Sequence, residues 1–329
     1  MKRTVKERDF IKILRKSLPG AGLGDDAALF KPTQGCEQLL TCDLLVEKVH
    51  FDLKTIAPWE LGAKAVAASL SDVAAMGGRP RAFLVSLGMP KRKGLSTDFF
   101  KSLYAGMEAW SSSFGAKLAG GDTSSSPGPL FIDIFMLGEV EQGRALTRSG
   151  ARPGDLICCT GTLGDSAAGL AALKHKRGVP KDAAALAIKR HRLPVPRVLA
   201  GRFLVTKRAA SSCIDVSDGL ASELAHLAEE SGVGMDIEAT AVPLSGVCIR
   251  VAEALKTDPL QWALHGGEDY ELLFTVKPSK MAMLQHEFGR LTGSGLHVLG
   301  RVRKGKGVRM RVNKKWRKLG SGGYEHSIF

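Results

Sequence analysis

A polar, basic stretch punctuated by Gly and Pro, EQGRALTRSGARPGD at residues 141–155, interrupts the apolar segments of this 329-residue chain. A chain of this length exceeds the size at which one hydrophobic core usually keeps growing, so two domains are expected. A stretch of this composition is typical of a boundary between them. We therefore predict an N-terminal domain over residues 1–143 and a C-terminal domain over residues 144–329.

Both halves mix strand-like apolar runs with helical segments. In the first half, QLLTCDLLVE, RAFLVSLGMP and PLFIDIFMLGEV are strand-like, and helices are expected from Pro58 to the glycines at 77–78 and over about residues 97–114. In the second half, LICCT, SSCIDV and YELLFTV are strand-like, whereas GDSAAGLAAL and SDGLASELAHLAEE are helical. The predicted fold class is α/β of the α+β type, with two mixed α/β domains.

The formal net charge of +14 is concentrated near the C-terminus, where residues 301–318 hold ten Lys or Arg and no acid. Within this segment, GVRMRVNKKW alternates apolar and basic residues, which is typical of a half-buried strand with a charged outer face. We favour a solvated edge hairpin, since lysines on an edge also discourage further strand pairing. A nucleic-acid-binding segment is the alternative, and strongly salt-dependent DNA binding would indicate it.

No apolar stretch has the length and purity of a signal-peptide core or a membrane span. The six cysteines lack C-x-x-C spacing, so they indicate neither a zinc site nor a disulfide framework. We therefore expect a cytoplasmic protein with no membrane partner and no nucleic-acid partner, in which the cysteines are small buried residues.

Six aspartates stand where an acid is costly, inside apolar segments or beside glycines: Asp26, Asp43, Asp72, Asp122, Asp215 and Asp218. An ionised carboxylate in such a position has to be paired or metal-bound. Taken singly, each is explained by a turn or a cap, such as Ser217 or Asp218 at the start of a helix, and Asp25 with its neighbour by a solvated turn. As a set, oxygen ligands without Cys or His favour hard cations, Mg²⁺ above all, and more than one ion.

Magnesium held by carboxylates points to nucleotide chemistry, since its remaining ligands are usually water and phosphate oxygens. The usual phosphate-binding loops are missing: G-x-x-x-x-G-K-[ST] does not occur, and no G-x-G-x-x-G opens a helix after a strand. P-loop enzymes, dinucleotide dehydrogenases and protein kinases are therefore disfavoured. What remains is an ATP site in which magnesium neutralises most of the phosphate charge, helped by the backbone amides of GGDT and an arginine such as Arg148.

Eight stretches between about residue 20 and residue 276 form an ordered set of motifs: GLGDDAALF, TCDLLVEKVHF, LSDVAAMGG, GGDT, GRALTRSGARPGD, TGTLGDSAAGL, IDVSDGL and HGGEDYELLFTV. Together they resemble the thiamine-monophosphate kinase family, which belongs to the superfamily of aminoimidazole ribonucleotide synthetase and selenophosphate synthetase. VHF and GGEDYEL separate this family from its superfamily relatives better than the shared acidic motifs do.

The resemblance implies that ATP, as co-substrate, phosphorylates thiamine monophosphate with the help of several Mg²⁺ ions, in a homodimer. The implied magnesium ligands are Asp26, Thr41, Cys42, Asp43, Asp72, Asp122, Asp215 and Asp218. The implied ATP contacts are Tyr104, Gly121, Asp122, Arg148 and Ser217. The implied thiamine monophosphate contacts are His50, Glu268 and Tyr324. No general base is implied, because the acceptor is a phosphate that is largely ionised at neutral pH.

Other roles stay open for some of these residues. Tyr104 can be a core tyrosine, His50 a surface or core histidine, Glu268 a turn residue that binds backbone amides, and Tyr324 a packing anchor. Two rival functions also stay open. One is another ATP-dependent enzyme of the superfamily, such as its ring-closing purine-pathway synthetase, and the other is an inactive homologue.

The chain departs from the family pattern in two places. Cys42 stands where a threonine commonly precedes the strand aspartate, and a thiol is a poor ligand for Mg²⁺, although the backbone carbonyl can still serve. Near the C-terminus, Ser327 and Ile328 separate His326 from Phe329, which the family tends to place together. The first change concerns one metal ligand, and the second concerns recognition of the thiamine ring.

Overall fold

The structure, a computed structural model, describes residues 7–17, 27–92, 94–175, 178–320 and 322–323. The described chain forms two compact units. The first holds the residues up to Val73 together with Arg79–Gln142, and the second holds Ala74–Gly78 together with the residues from Gly143 onward. Each unit combines helices with one sheet, so the predicted α/β class with two mixed domains is confirmed.

The first unit is built on a four-stranded sheet in the order β1-β4-β2-β3. Strand β4 pairs antiparallel with both β1 and β2, whereas β2 and β3 run parallel. One face of the sheet is buried against helices, and its side chains form most of the core of the unit. The elements are α1 (Glu7–Ser17), β1 (Cys36–Val46), α2 (Pro58–Ala75), β2 (Arg79–Pro90), α3 (Thr97–Ser112), β3 (Lys117–Ser126) and β4 (Phe131–Glu141).

Two glycines let helices α2 and α3 approach each other closely. A Cβ atom on Gly62 would overlap the backbone oxygen of Leu103, and one on Gly106 would overlap the backbone oxygen of Trp59. Small residues at a helix crossing allow the backbones to come into direct contact, and the Ala-rich sequence of α2 suits that packing. The crossing fixes α2, which carries one of the predicted metal ligands, Asp72.

The second unit is built on a seven-stranded sheet in the order β11-β10-β7-β9-β5-β8-β6. Only β7 and β10 pair in parallel, and strands β5 and β8 are buried along their whole length. Its elements are β5 (Leu156–Thr160), α4 (Asp165–Lys174), α5 (Lys181–Arg192), α6 (Val198–Thr206), β6 (Ala210–Asp215), α7 (Leu220–Glu230), β7 (Gly234–Glu238), α8 (Gly246–Ala254), α9 (Pro259–His265), β8 (Leu272–Val276), α10 (Met281–Thr292), β9 (Leu296–Arg303), β10 (Gly307–Val312) and β11 (Lys315–Leu319). Short 3₁₀ turns follow β7 and β8, at Ala239–Ala241 and Pro278–Lys280.

The basic C-terminal segment forms the hairpin β10–β11 at one edge of this sheet, as predicted. Arg309 and Arg311 lie over the ring of Trp316, at 5.2 and 5.5 Å from its centroid. The same arginines pair with Asp236 and Glu238 of β7. Part of the positive charge is therefore used to hold the hairpin to the rest of the sheet.

The structure excludes two of the alternative roles that the sequence leaves open. Asp122 does not lie in a turn or a cap, because the GGDT motif lies inside β3, where Gly121 allows close strand pairing. Neither Ser217 nor Asp218 caps α7, because the helix begins one residue later and Gly219 occupies the N-cap position. In addition, no helix within the described ranges is long and apolar enough to cross a membrane.

We expect Gly62→Ala to lower the free energy of unfolding of the protein by about 3 kcal/mol, because the added methyl group forces α2 and α3 apart. Gly128→Ala is the matched control, since a Cβ atom there meets nothing within 4 Å, and its effect should stay below about 0.5 kcal/mol. Urea denaturation followed by tryptophan fluorescence measures both, with Trp59 and Trp110 reporting on this helix pair. Equal stability of the two variants would contradict the close crossing.

Candidate functional site

Two carboxylates of the first unit lie between its sheet and helix α2. Strand alternation points Thr41 and Asp43 of β1 to the same side of the sheet, and Ser69 and Asp72 stand about one turn apart on α2. Ser69 Oγ donates to Asp43 Oδ2 at 2.6 Å, and Thr41 Oγ1 donates to Asp72 Oδ2. The structure thus brings three of the predicted metal ligands together and holds each carboxylate with a hydroxyl group from the facing element.

The two carboxylates of this group interact electrostatically. Burial, followed by the negative charge of Asp72, raises the pKa of Asp43 to about 6. The hydrogen bond from Ser69 opposes this rise, and the charge of Asp133 adds to it. A cation bound between two such carboxylates would relieve their repulsion, and their oxygens suit a hard cation such as Mg²⁺.

Cys42 lies between Thr41 and Asp43 in sequence, but its side chain is on the opposite, exposed face of the sheet. Desolvation of the thiol, followed by the charges of Asp133, Asp43 and Asp72, raises its pKa. The thiol is therefore protonated at neutral pH and is a weak ligand for Mg²⁺. Only the backbone of Cys42 can join the cluster formed by Thr41 and Asp43.

Asp122 and Gly121 lie next to each other on β3. Asp122 is exposed and accepts a hydrogen bond from the backbone N–H of Thr123 at 2.8 Å. A Cβ atom on Gly121 would overlap the backbone oxygen of Val85 on the neighbouring strand, so glycine is required there by the close approach. Asp122 is paired in register with Ser86, which keeps its carboxylate at a fixed position along the sheet.

The structure places His50 and Tyr104 in different environments. His50 closes the turn after β1: its Nδ1 accepts the backbone N–H of Val46 at 2.9 Å, so in the neutral ring Nε2 carries the proton. Tyr104 is buried in the hydrophobic core of the first unit, where burial raises its pKa. This burial matches the alternative of a core tyrosine, and its contact with adenine stays a prediction.

In the second unit, Asp215 ends strand β6 and is buried, and Asp218 follows just before α7. A third acid, Glu223 in the first turn of α7, joins them: its Oε1 accepts the backbone N–H of Asp218 at 3.2 Å. Burial, followed by the charge of Asp215, raises the pKa of Glu223 to about 8. Glu223 is not among the residues predicted from the sequence, although an acid three residues after Leu220, in the helix that follows IDVSD, is a signal that the sequence contains.

The segment containing Glu268 is tied to the IDVSD segment by its backbone. The N–H of Glu268 donates to the oxygen of Ser217 at 2.7 Å, and the N–H of Tyr270 donates to the oxygen of Val216 at 2.9 Å. Glu268 and Tyr270 adopt left-handed backbone conformations, with φ values of 66° and 51°, which cost energy for non-glycine residues. A Cβ atom on Gly267 would overlap the oxygen of Ser217. The predicted ATP contact Ser217 and the predicted substrate contact Glu268 are thus neighbours.

The two acids that follow Glu268 are held from helix α4 and from Arg197. Asp269 accepts the backbone N–H groups of Gly164 and Ser166, at 2.6 and 3.0 Å, at the start of α4. Burial nevertheless raises the pKa of Asp269 to about 8. Glu271 forms a bidentate pair with Arg197, whose Nε lies 2.6 Å from Oε2.

Arg190 approaches the same region, with its Nη1 at 2.6 Å from Asp165 Oδ2. Arg190, His191 and Arg197 all belong to the segment KRHRLPVPR, which the sequence analysis did not single out. The sequence does contain a signal for this segment, namely a run of basic residues followed by two prolines. The two arginines, Arg190 and Arg197, neutralise acids around the GGEDYEL segment.

Some predicted residues lie at the margin of a cluster or outside the described residues. Arg148 is exposed, its positive charge acts to lower the pKa of Glu223 in the second unit, and its backbone oxygen accepts from Ser231 Oγ at 3.3 Å. Asp26 and Tyr324 lie outside the described residues, as do Asp25 and the altered tail. Within the described ranges, no three His, Cys, Asp or Glu side chains form a group that could hold a metal ion.

Comparisons with known proteins cover both units. The model of the AIR synthase related protein N-terminal domain matches residues 24–140, and that of the C-terminal domain matches residues 152–313. Thiamine-monophosphate kinase of Bacillus subtilis is 39% identical over 284 residues, 85% of each chain. Thiamine-monophosphate kinase of Escherichia coli K12 is 42% identical over 273 residues, 82% of this chain and 80% of that one.

Solved structures agree with the sequence relatives. A structure of AaThiL complexed with AMPPCP and TMP superposes with a TM-score of 0.78 and 33% identity, over 99% of both chains. The crystal structure of thiamine-monophosphate kinase from Stenotrophomonas maltophilia gives a TM-score of 0.81 and 32% identity, over 92% of this chain and 95% of that chain. The chain therefore belongs to the thiamine-monophosphate kinase family, within the AIR synthase related proteins.

Proposed function

We propose that this protein transfers the γ-phosphoryl group of ATP to thiamine monophosphate, giving thiamine diphosphate and ADP. The observation that carries the proposal is the match over nearly the whole chain to a relative solved with an ATP analogue and TMP. The pattern of acids supports it, since the family motifs of both units contain acids, of which Asp215 is buried and Asp43 is partly buried.

The main obstacle to this reaction is repulsion between two polyanionic substrates. The acceptor phosphate has a second pKa near 6 and is largely ionised at neutral pH, so no side chain has to remove a proton from it. Catalysis then rests on positioning and on neutralising charge. The described clusters offer carboxylates, backbone amides and hydroxyl groups, which fits a site without a general base.

Mg²⁺ is the cofactor that we propose for these carboxylates. When bound, it would neutralise phosphate charge and act as a Lewis acid toward phosphoryl oxygens. Asp43 and Asp72 fit such an ion, because each is already oriented by a hydroxyl donor and the two repel each other. The full set of residues proposed to hold magnesium is Asp26, Thr41, Asp43, Asp72, Asp122, Asp215 and Asp218, with Cys42 through its backbone.

The remaining residues are proposed to orient the two substrates. ATP would contact Gly121 and Asp122 in the first unit, with Tyr104 as a further candidate, and Arg148 and Ser217 in the second. Thiamine monophosphate would contact His50, Glu268 and Tyr324. Glu268 suits this role because a carboxylate attracts the cationic thiazolium ring, and its tied backbone keeps it in place.

The proposal predicts that the parent protein, given ATP, Mg²⁺ and thiamine monophosphate, forms thiamine diphosphate, detected by chromatography. Free thiamine and purine-pathway substrates serve as control acceptors. Product from thiamine monophosphate alone would support the proposal. Absence of product from this acceptor, in a protein that still binds ATP in the presence of Mg²⁺, would contradict it and point to another superfamily reaction.

Asp43→Asn and Asp215→Asn should each lower kcat by at least about 100-fold, because each removes a charge that would hold a metal ion against the phosphates. Asp98→Asn is the control, since that side chain is 89% exposed at the start of α3, and its kcat should stay within about twofold of the parent. Steady-state assays over a range of Mg²⁺ concentrations measure the effect. Near-parental kcat in either variant would refute the metal assignment.

We also propose that the protein is a homodimer formed through the first unit. The sheet face opposite α2 is apolar and exposed: Leu40 and Leu44 of β1, Leu84 of β2 and Phe135 of β4 point outward together. A contiguous face of this kind is unusual on a monomer and typical of an interface. A second copy of the chain is the occupant that the family resemblance implies.

Leu44→Arg should raise the dissociation constant of the dimer at least about 30-fold, because it would bury a charge in an apolar contact. Leu291→Arg is the control, because Leu291 is similarly exposed but lies on α10 of the second unit. Sedimentation equilibrium measures both variants. A monomeric parent, or a Leu44→Arg variant that dimerises like the parent, would contradict the proposed interface.

A further inference from the structure

The orientation of the Glu268 carboxylate is not fixed by its own backbone. Its backbone is in the left-handed region, with φ at 66°, and its side chain is 27% exposed. The hydrogen bond from its N–H to Ser217 fixes the backbone, but not the three torsions of the side chain. A partly exposed glutamate samples several rotamers unless neighbouring groups select one.

One neighbour reaches the carboxylate from helix α5. Nδ1 of His191 lies 3.5 Å from Oε2 of Glu268 and 2.9 Å from Oγ of Ser166. Beside a carboxylate, the tautomer that carries the hydrogen on Nδ1 is favoured, because a lone pair there would be repelled. In this tautomer Nδ1–H donates to Ser166 Oγ, and the same edge of the ring faces Glu268.

These contacts form a closed loop around the Glu-Asp pair. The hydroxyl oxygen of Ser166 accepts from Nδ1–H of His191, while the backbone N–H of Ser166 donates to Asp269. Asp269 is covalently joined to Glu268, whose carboxylate returns to His191. These contacts fix the position of the Glu268 side chain relative to the first turn of α4, which is a rigid element. Its position therefore does not depend on its own strained segment alone.

The position of His191 is itself fixed by helix packing. Helices α4 and α5 touch at Gly169, where a Cβ atom would overlap the oxygen of Ala187 and approach Cβ of His191 to 2.7 Å. His191 is 8% exposed and lies in the last turn of α5. A buried ring held by two packed helices has few alternative rotamers, so it can impose a position on a more mobile partner.

We propose that His191 is a positioning residue that holds the Glu268 carboxylate in the orientation that binds thiamine monophosphate. The inference rests on the proposed function, because Glu268 contacts thiamine monophosphate only if the protein phosphorylates that substrate. His191 acts through Glu268 and not on the reacting phosphates. The competing interpretation is a histidine that only fills space between α4 and α5 and satisfies Ser166.

The test compares three variants by their kinetic constants. His191→Phe keeps the ring shape and removes Nδ1, His191→Asn places an amide group near the position of Nδ1, and His226→Asn changes an exposed histidine on α7 as the control. We expect His191→Phe to raise KM for thiamine monophosphate about tenfold while KM for ATP stays within about twofold. His191→Asn should recover much of the loss, and His226→Asn should behave like the parent.

A double-mutant cycle separates positioning from packing. If His191 acts through Glu268, then His191→Phe should add little to the KM effect of Glu268→Gln, because the carboxylate it orients is already lost. Additive effects would overturn the inference, as would equal rises of KM for both substrates. If His191→Phe fails to fold, judged by its unfolding midpoint, the same cycle is run with His191→Leu, which also removes Nδ1.

The two proposals fail in different ways. A parent protein that makes no thiamine diphosphate removes the proposed function and the inference that depends on it. An active parent whose His191→Phe variant keeps the parental KM for thiamine monophosphate removes the inference alone.

Discussion

Negative charge placed in apolar surroundings is the constraint on which both units depend. A buried carboxylate is unfavourable unless a hydrogen-bond donor, a cation or a metal ion meets it. In the first unit, Asp43 and Asp72 each accept a hydrogen bond from a hydroxyl group, and the charge of Asp72 still raises the pKa of Asp43. A divalent cation bound between the two carboxylates would remove their mutual repulsion, and this gain would favour its binding. The apolar core behind α2 therefore serves to keep two charges close together.

The second unit resolves the same constraint differently. Glu271 is matched by Arg197, Asp165 by Arg190, and Asp269 by two backbone N–H groups at the start of α4. These contacts hold the acids in place, so they act as structural supports for the GGEDYEL segment. Glu268 differs from them because its side chain is partly exposed and faces His191. It is therefore the acid of this segment that we propose as the contact for thiamine monophosphate.

Much of this arrangement followed from sequence because its signals are local. Apolar alternation predicted β1, the proline at position 58 predicted the start of α2, and motif order predicted the family. The strand at Asp122 was missed because its glycines suggest a turn, whereas here Gly121 permits close contact with Val85. His191 and Glu223 were missed for another reason. Their partners are set by tertiary packing, and single-chain patterns do not report which helix faces which segment.

Strand alternation also determines what the replacement at Cys42 can affect. Because Thr41 and Asp43 turn toward α2, the side chain between them is directed to the opposite face. A threonine hydroxyl at this position would point away from the carboxylate cluster as the thiol does, so the replacement removes no side-chain ligand from that cluster. Its effect falls on the outer face, beside Leu44 and Phe135. There a protonated thiol is a better apolar neighbour than a hydroxyl group, so the change makes the outer face more apolar and leaves the charge of the cluster intact.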